Sequence, residues 1–302
     1  MTQFRRKKRV VDGVLLLDKP YEISSNGALQ KARWLFNAAK AGHTGILDPL
    51  ATGLLPVCFG EATKFSSFLL DADKSYRATV RFGQTTTTGD IEGEVVIERP
   101  VTFDQDALQK TIDRFVGEID QVPPMYSALK HLGRPLYEYA REGIEIERPA
   151  RRITIHSIKL LHFDGAEAII DVVCSKGTYI RTLASDIGDA LGAGAHLTGL
   201  RRLCTAGFSL EQSVTLTAIE ALPEAERDSL LLPVDVLVSH LPECALPEEL
   251  ASRFCHGQAV RFHENRGILS TFRVYHQVTR KFLGLAEMQQ DGLLQPVRLL
   301  AA

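Results

Sequence analysis

The chain has 302 residues, 45% of them hydrophobic, with 35 basic and 37 acidic side chains for a net charge of -2. That balance supports an ordinary folded core and excludes a disordered or strongly cationic protein, so a nucleic-acid partner has to be recognised by local charge. Cys58, Cys174, Cys204, Cys244 and Cys255 are odd in number, with no Cys-x-x-Cys pair and no zinc-ligand spacing, which argues against disulfide or metal frameworks and favours a cytoplasmic setting.

In chain order, the basic start Arg5-Arg6-Lys7-Lys8-Arg9 resembles a signal n-region, but Asp12, Gly13 and Asp18 interrupt the apolar segment that would have to follow. No run reaches the ~20 apolar residues needed to span a bilayer. Val14-Leu15-Leu16-Leu17 predicts a short buried strand bounded by Gly13 and Pro20. Ser24 or Ser25 is placed to cap a following helix, with Leu29, Ala32, Arg33 and Phe36 at helical spacing through Lys40. After a glycine-rich loop, residues 54-59 predict a buried strand, and 61-70 a helix with Ala62, Phe65, Phe68 and Leu69 inward. Residues 76-82 alternate as a strand, Val95-Val96-Ile97 adds another, and 104-115 fits an amphipathic helix. Residues 121-137 are irregular and carry Pro123-Pro124. The runs 153-163 and 166-174 meet at Asp164-Gly165, the strongest hairpin signal in the chain. A helix begins near Thr178 with Ile180, Leu183, Ala184, Ile187 and Leu191 on one face, and a strand resumes at 197-203. This uneven alternation with hairpins predicts an α+β fold with a mixed, mainly antiparallel sheet.

Charge then divides the chain. Residues 211-250 hold nine acidic side chains against Arg227 alone, whereas 253-302 hold seven basic against three acidic. The runs 260-262, 268-274, 282-288 and 293-300 predict a small β-barrel-like unit. The expected division is a large domain over 1-245 and a small one over 246-302.

The candidate chemistry centres on Gly42-His43-Thr44-Gly45-Ile46-Leu47-Asp48-Pro49. Asp48 is the one formally charged side chain between Lys40 and Glu61, in a loop whose glycines let backbone approach a ligand closely. A second cluster is Lys176-Gly177-Thr178-Tyr179-Ile180-Arg181, which sets Arg181 in the first turn of a helix, where the macrodipole disfavours a cation. A negative partner is expected, and Asp48 fits: an arginine within about 4-6 Å keeps a carboxylate ionised. Tyr76 and Tyr179 are candidates for stacking on a base. No dinucleotide fingerprint, P-loop or Gly-x-Ser-x-Gly elbow is present, so neither a nucleotide cofactor nor an α/β-hydrolase is indicated.

Gly13-Val14-Leu15-Leu16-Leu17-Asp18-Lys19-Pro20, the Asp48 loop continuing through Gly60-Glu61-Ala62-Thr63-Lys64, residues 123-130 and residues 174-181 together resemble, in order and spacing, the TruB-type tRNA pseudouridine synthases of bacteria. The resemblance covers residues 10-210 firmly, and the tail from 250 resembles a PUA-like RNA-binding domain more weakly; it implies that 1-245 is the catalytic domain and 246-302 the RNA-binding one. It implies isomerisation of uridine to pseudouridine at position 55 in the T loop of tRNA, with no cofactor and no metal. It assigns Asp48 as nucleophile, Tyr76 as the ring stacked on the target base and placed to assist proton removal from C5, and Arg181 as the partner of Asp48. His43, Tyr179 and Leu200 match substrate-contacting positions. Lys19, Lys64, Lys130 and Arg202 are candidates for neutralising phosphates. The implied partner is tRNA, through its T loop and acceptor stem, bound by a monomer with no membrane association. Ile46 is bulkier than the pattern calls for and is expected to alter loop packing more than chemistry. A non-catalytic tRNA-binding or RNA-folding protein is the alternative; a glycoside hydrolase lacks support, since no second carboxylate is evident in these loops.

Overall fold

The computed structural model describes residues 7–261 and 270–301. It opens with β1 (Gly13–Lys19), α1 (Ser25–Leu35), β2 (Ala41–His43) and β3 (Ala51–Phe59). There follow β4 (Lys74–Phe82), β5 (Gln84–Thr86), β6 (Val95–Glu98), α2 (Gln105–Asp113) and β7 (Gly117–Gln121). The two-residue strands β8 (Lys130–His131) and β9 (Arg134–Pro135) precede α3 (Leu136–Arg141), β10 (Arg151–Phe163), β11 (Glu167–Cys174) and α4 (Ile180–Ala190). Next come β12 (Ala195–Thr205), β13 (Phe208–Ser209), β14 (Val214–Thr215) and α5 (Leu216–Ala221).

The main sheet runs β14-β1-β3-β12-β4-β11-β10-β7, with β2 on β3 and β13 on β12. It is mixed: β1 is parallel to β14 and β3 to β12, while the other pairs are antiparallel. The β10–β11 hairpin turns at the expected place because the Asp164 carboxylate accepts from the N–H groups of Ala166 and Glu167 at 2.9 and 2.7 Å and Gly165 adopts φ +100°. Where β3 and β12 run side by side, Gly53 (φ +99°) lets the backbones close up. A Cβ there would lie 2.4 Å from the Arg202 carbonyl oxygen.

Several expectations need correction. Residues 61-70 form two 3-10 turns, Gly60–Lys64 and Ser66–Leu69, instead of one helix. The Thr63 and Ser66 hydroxyls donate to the carbonyls of Gly60 and Thr63, competing with helical bonds, and the intended inward residues Ala62, Phe65 and Leu69 stay buried all the same. Ser24 caps α1 by accepting from Gly27 N–H, and the helix stops at Leu35, short of Lys40, because Asn37 takes a left-handed conformation at φ +50°. β7 was unexpected; its alternation is short and its outward face is polar.

The acidic stretch wraps the main sheet. Val14 and Leu232 exchange both backbone hydrogen bonds, and Leu216, Ile219, Leu237 and Val238 are buried. The C-terminal unit comprises β15 (Glu243–Leu246), α6 (Glu248–Cys255), β16 (Val260–Arg261), β17 (Thr271–His276), β18 (Phe282–Met288) and β19 (Leu293–Leu299), its sheet ordered β15-β17-β18-β19-β16. Parts of the expected runs 260-262 and 268-274, with Arg5 and Arg6 of the basic start, lie outside the described residues. The two units share a core in which Val14, Leu16, Leu54 and Phe65 meet Tyr275, Phe282 and Leu285, with the Phe65 and Phe282 rings 5.5 Å apart. No helix among the described residues is long and apolar enough to cross a membrane.

Candidate active site

Asp48 sits at the end of the loop that feeds β3, and three elements hold that loop still. The Ser25 hydroxyl, turned inward from α1, accepts the Leu47 N–H at 2.7 Å and donates to the Leu47 carbonyl at 2.9 Å. Lys19, at the end of β1, donates from Nζ to the carbonyls of Pro20, Ile23 and Pro49. The Ala51 N–H closes the turn onto the Asp48 carbonyl. A hydroxyl that serves both the N–H and the carbonyl of one residue is a strong clamp, because releasing it leaves a buried donor and a buried acceptor unpaired.

Arg181 approaches from α4. Its Nη2 lies 3.0 Å from Asp48 Oδ2 and donates to the Tyr126 carbonyl at 2.7 Å; its Nη1 donates to the Thr88 carbonyl at 2.9 Å and lies 3.5 Å from Asp90 Oδ2. Arg181 is 5% exposed and Asp48 36%, so the cation is sealed while the carboxylate still faces a cavity. The unfavourable helix-end position expected for Arg181 is therefore offset by two carboxylates and two carbonyls. Burial pushes the Asp48 carboxyl above its ordinary value; Arg181 pulls it back, and Asp90 adds to the rise. Asp90 corrects the expectation that no second carboxylate is near. It is 2% exposed, its Oδ1 accepts from Thr88 Oγ1 at 2.5 Å and from the Glu92 N–H at 3.1 Å, and sequence spacing gave no sign that it would meet Arg181.

Tyr179 precedes α4 and has no capping side chain of its own. Gln121, the last residue of β7, supplies one: its Oε1 accepts the Tyr179 N–H at 2.8 Å and its Nε2 donates to the Tyr179 carbonyl at 3.1 Å. Tyr76, on β4, faces Arg202 of β12 directly in the ladder, and Leu200 lies two residues away on the same face. A cavity of about 200 Å³ is lined by Asp48, Lys74, Tyr76, Tyr179, Leu200 and Arg202. The fold thus brings together Asp48, Tyr76, Tyr179, Arg181 and Leu200 from four segments. Burial raises the phenol pKa of Tyr76, with the Arg202 guanidinium opposing, and burial likewise raises that of Tyr179.

Asp48 and Arg181 also border a second cavity of about 480 Å³, with His43, Glu92, Tyr137 and Arg141. His43, the last residue of β2, opens there beside the Asp48 loop. Burial, reinforced by Arg202, lowers its imidazole pKa, which leaves a neutral ring suited to stacking. Ile46 is 59% exposed and lines both cavities.

The four expected phosphate contacts separate. Lys19 is fully buried and committed to three carbonyls; it cannot reach a phosphate, and burial lowers its pKa to about 8. Arg202 is 1% exposed and lies beneath Tyr76, likewise out of reach. Lys64 is partly exposed at the junction of the two units, bonded to Glu61 Oε2 and the Leu299 carbonyl. Lys130 is exposed on β8. Ser25, Gln121 and Asp90 escaped sequence reasoning because each acts through a contact distant in the chain.

Comparison with known proteins accords with this geometry. Residues 33–180 match the family described as TruB family pseudouridylate synthase (N terminal domain), 181–239 the tRNA pseudouridylate synthase B C-terminal domain, and 242–300 Pseudouridine synthase II TruB, C-terminal. The chain is 64% identical to tRNA pseudouridine synthase B of Chromobacterium violaceum over 100% of this chain and 98% of that one. It is 56% identical to the protein of the same name from Methylobacillus flagellatus, over 99% and 98%. Among solved structures, a Cbf5-Nop10-Gar1 complex contains a chain matching with a TM-score of 0.70 and 25% identity, over 96% of this chain and 85% of that one. The sheet, the paired Asp48 and Arg181, and full-length relatives of this similarity lead to one conclusion: the chain belongs to the TruB family of pseudouridylate synthases.

Proposed function

We propose that this protein isomerises uridine to pseudouridine at position 55 in the T loop of tRNA, using Asp48 as the nucleophile and no cofactor. The observation that carries the reading is the Asp48–Arg181 pair at 3.0 Å, with its carboxylate still open to a cavity that Tyr76, Tyr179 and Leu200 line. A uridine inside a folded loop is out of reach of any carboxylate, so the base has to be extruded and received by such a pocket. There Asp48 attacks the nucleotide, and the uracil is detached from the ribose at N1 and turned. It rejoins the ribose through C5 as the bond to Asp48 breaks, Tyr76 lying against the ring and assisting loss of the C5 proton. Arg181 holds Asp48 ionised and oriented against the burial that raises its pKa. His43, at the mouth of the second cavity, is positioned to stack in the rearranged loop. Within this reading residues 1-245 carry the chemistry, and the net-basic residues 246-302 hold the acceptor stem of one tRNA on one protein molecule, in the cytoplasm.

The deciding experiment replaces Asp48 with Asn and measures tritium release from tRNA labelled at uracil C5. Release should cease while tRNA affinity stays within about twofold, since the substitution removes a nucleophile and not a binding surface. Continued turnover would defeat the nucleophile assignment. Release by the unaltered protein separates an enzyme from a protein that only binds or folds RNA.

A further inference from the structure

Arg202 is buried in a way that folding alone does not explain. It is 1% exposed, the largest of the fully buried side chains, and no carboxylate pairs with it among the described residues. Its Nε donates to the Leu54 carbonyl at 2.6 Å, but Nη2, shielded from solvent, has no hydrogen-bond partner. A buried guanidinium with unmet donors is strongly destabilising unless a negative charge is provided for it. The groups around it do not provide one. Lys19 of β1, His43 of β2 and Lys74 of β4 are cationic or neutral and each feels Arg202 as a repulsive neighbour. Its directly opposed ladder partner is Tyr76, whose phenol feels the guanidinium, with the Cys174 thiol and Asp48 also close enough to act on that phenol.

We infer that Arg202 is a positioning residue for proton transfer by Tyr76, its unmet Nη2 donor standing ready for negative charge that develops on the Tyr76 oxygen during turnover. The inference rests on the isomerase reading above. Because Arg202 is 1% exposed and its Nη2 is shielded from solvent, it acts through the tyrosine and not on the RNA. The proton balance is closed. The Tyr76 phenol gives its proton to the uracil N1 freed by cleavage, leaving a phenolate that Arg202 stabilises. After C5 has bonded to the ribose and the Asp48 carboxylate has been released, the phenolate takes the C5 proton and is a phenol again. A donor fixed in place before charge develops needs no reorganisation, and it acts in a water-poor setting where it counts most. The burial that raises the Tyr76 pKa is the obstacle this arrangement offsets.

The test uses the full-length protein, tritium release from C5-labelled tRNA, and thermal melting. Arg202→Met should lower kcat by about 10²-fold, the lower end of what acid–base assistance contributes, with KM within about twofold. Its Tm should be unchanged or higher, because an apolar side chain of similar length replaces an unpaired charge. Arg202→Lys should retain more kcat than Arg202→Met. The decisive arm installs fluorinated tyrosines of lower phenol pKa at position 76: fluorination should recover about tenfold or more of kcat in Arg202→Met and change the wild type by less than about threefold. If Arg202→Met does not fold, the same fluorination series is read in Arg202→Lys. Absence of rescue, or a loss confined to KM, would overturn the inference. Failure of the unaltered protein to release tritium would remove the isomerase reading itself and the inference with it, whereas normal wild-type turnover without rescue removes only the role of Arg202.

Discussion

Gln121 offers the most discriminating perturbation of the site's scaffold, because it touches neither substrate nor nucleophile and yet holds the start of α4. Gln121→Leu keeps the volume and removes both bonds to Tyr179. The losses are unequal. The Tyr179 carbonyl keeps the Leu183 N–H at 3.0 Å, so it forfeits an ordinary hydrogen bond worth about 0.5–1.5 kcal/mol. The Tyr179 N–H has Gln121 as its acceptor and becomes an unmet donor in a partly buried setting, at about 1–3 kcal/mol. The sum, about 1.5–4.5 kcal/mol, should appear in urea unfolding as a lower midpoint with an unchanged slope. The same change frees Tyr179 and Arg181 to shift together, and a displacement of about 1 Å at a reacting group lowers rate on the order of 10²-fold. Gln121→Glu is the control: it keeps the acceptor for the N–H but sets a carboxylate against the Tyr179 carbonyl, so it should lose stability while retaining more activity than Gln121→Leu. A Gln121→Leu protein that unfolds earlier but turns over tRNA at the wild-type kcat would refute the claim that β7 positions the pocket.

Ser25→Ala should reduce kcat by about 10-fold or more with little change in KM, because it frees the peptide just before Asp48, and single-turnover tritium release measures this. Gly53→Ala should destabilise the protein by about 3 kcal/mol or more in urea melts, since φ +99° is costly for alanine and its Cβ meets the Arg202 backbone. With Asp48 as nucleophile the carboxylate form is the active one, and its pKa is raised, so kcat/KM should fall as pH drops through a value above the ordinary aspartate range. Arg181→Met should carry that acid limb still higher, by removing the main opposing charge. Lys130→Glu should weaken tRNA binding evenly across tRNA sequences and reduce the salt-dependence slope by about 1 or more, whereas Lys64, tied to Glu61 and Leu299, should show a smaller change in slope.

The sequence was informative where signals are local. Alternation placed β4, the Asp164-Gly165 turn placed the long hairpin, and the contrast between an isolated acidic residue and a misplaced arginine singled out Asp48 and Arg181. It was uninformative where one side chain could be either a surface or a core group. Lys19 and Arg202 read as phosphate ligands because lysine and arginine are almost always exposed. Only the fold shows that both are enclosed, one by carbonyls and the other behind an aromatic ring. Residues 61-70 show a second limit: the inward residues were right and the helix type was not, since hydrophobic spacing reports which side faces the core more securely than which hydrogen bonds form. Asp90 marks a third limit, for its partner lies 91 positions away in the chain.

The manner in which Arg181 is held has a consequence for how this site can vary. Its Nη2 is fixed from one side by the carbonyl oxygen of Tyr126, its Nη1 by that of Thr88, and Lys19 secures the turn beside Asp48 through three further carbonyls. Every amino acid carries a carbonyl oxygen, so at position 126 the geometry of the Asp48–Arg181 pair places a demand on the path of the chain and none on the identity of the residue. The side chain at 126 can therefore change while the charge on Asp48 stays where it is, provided the backbone does.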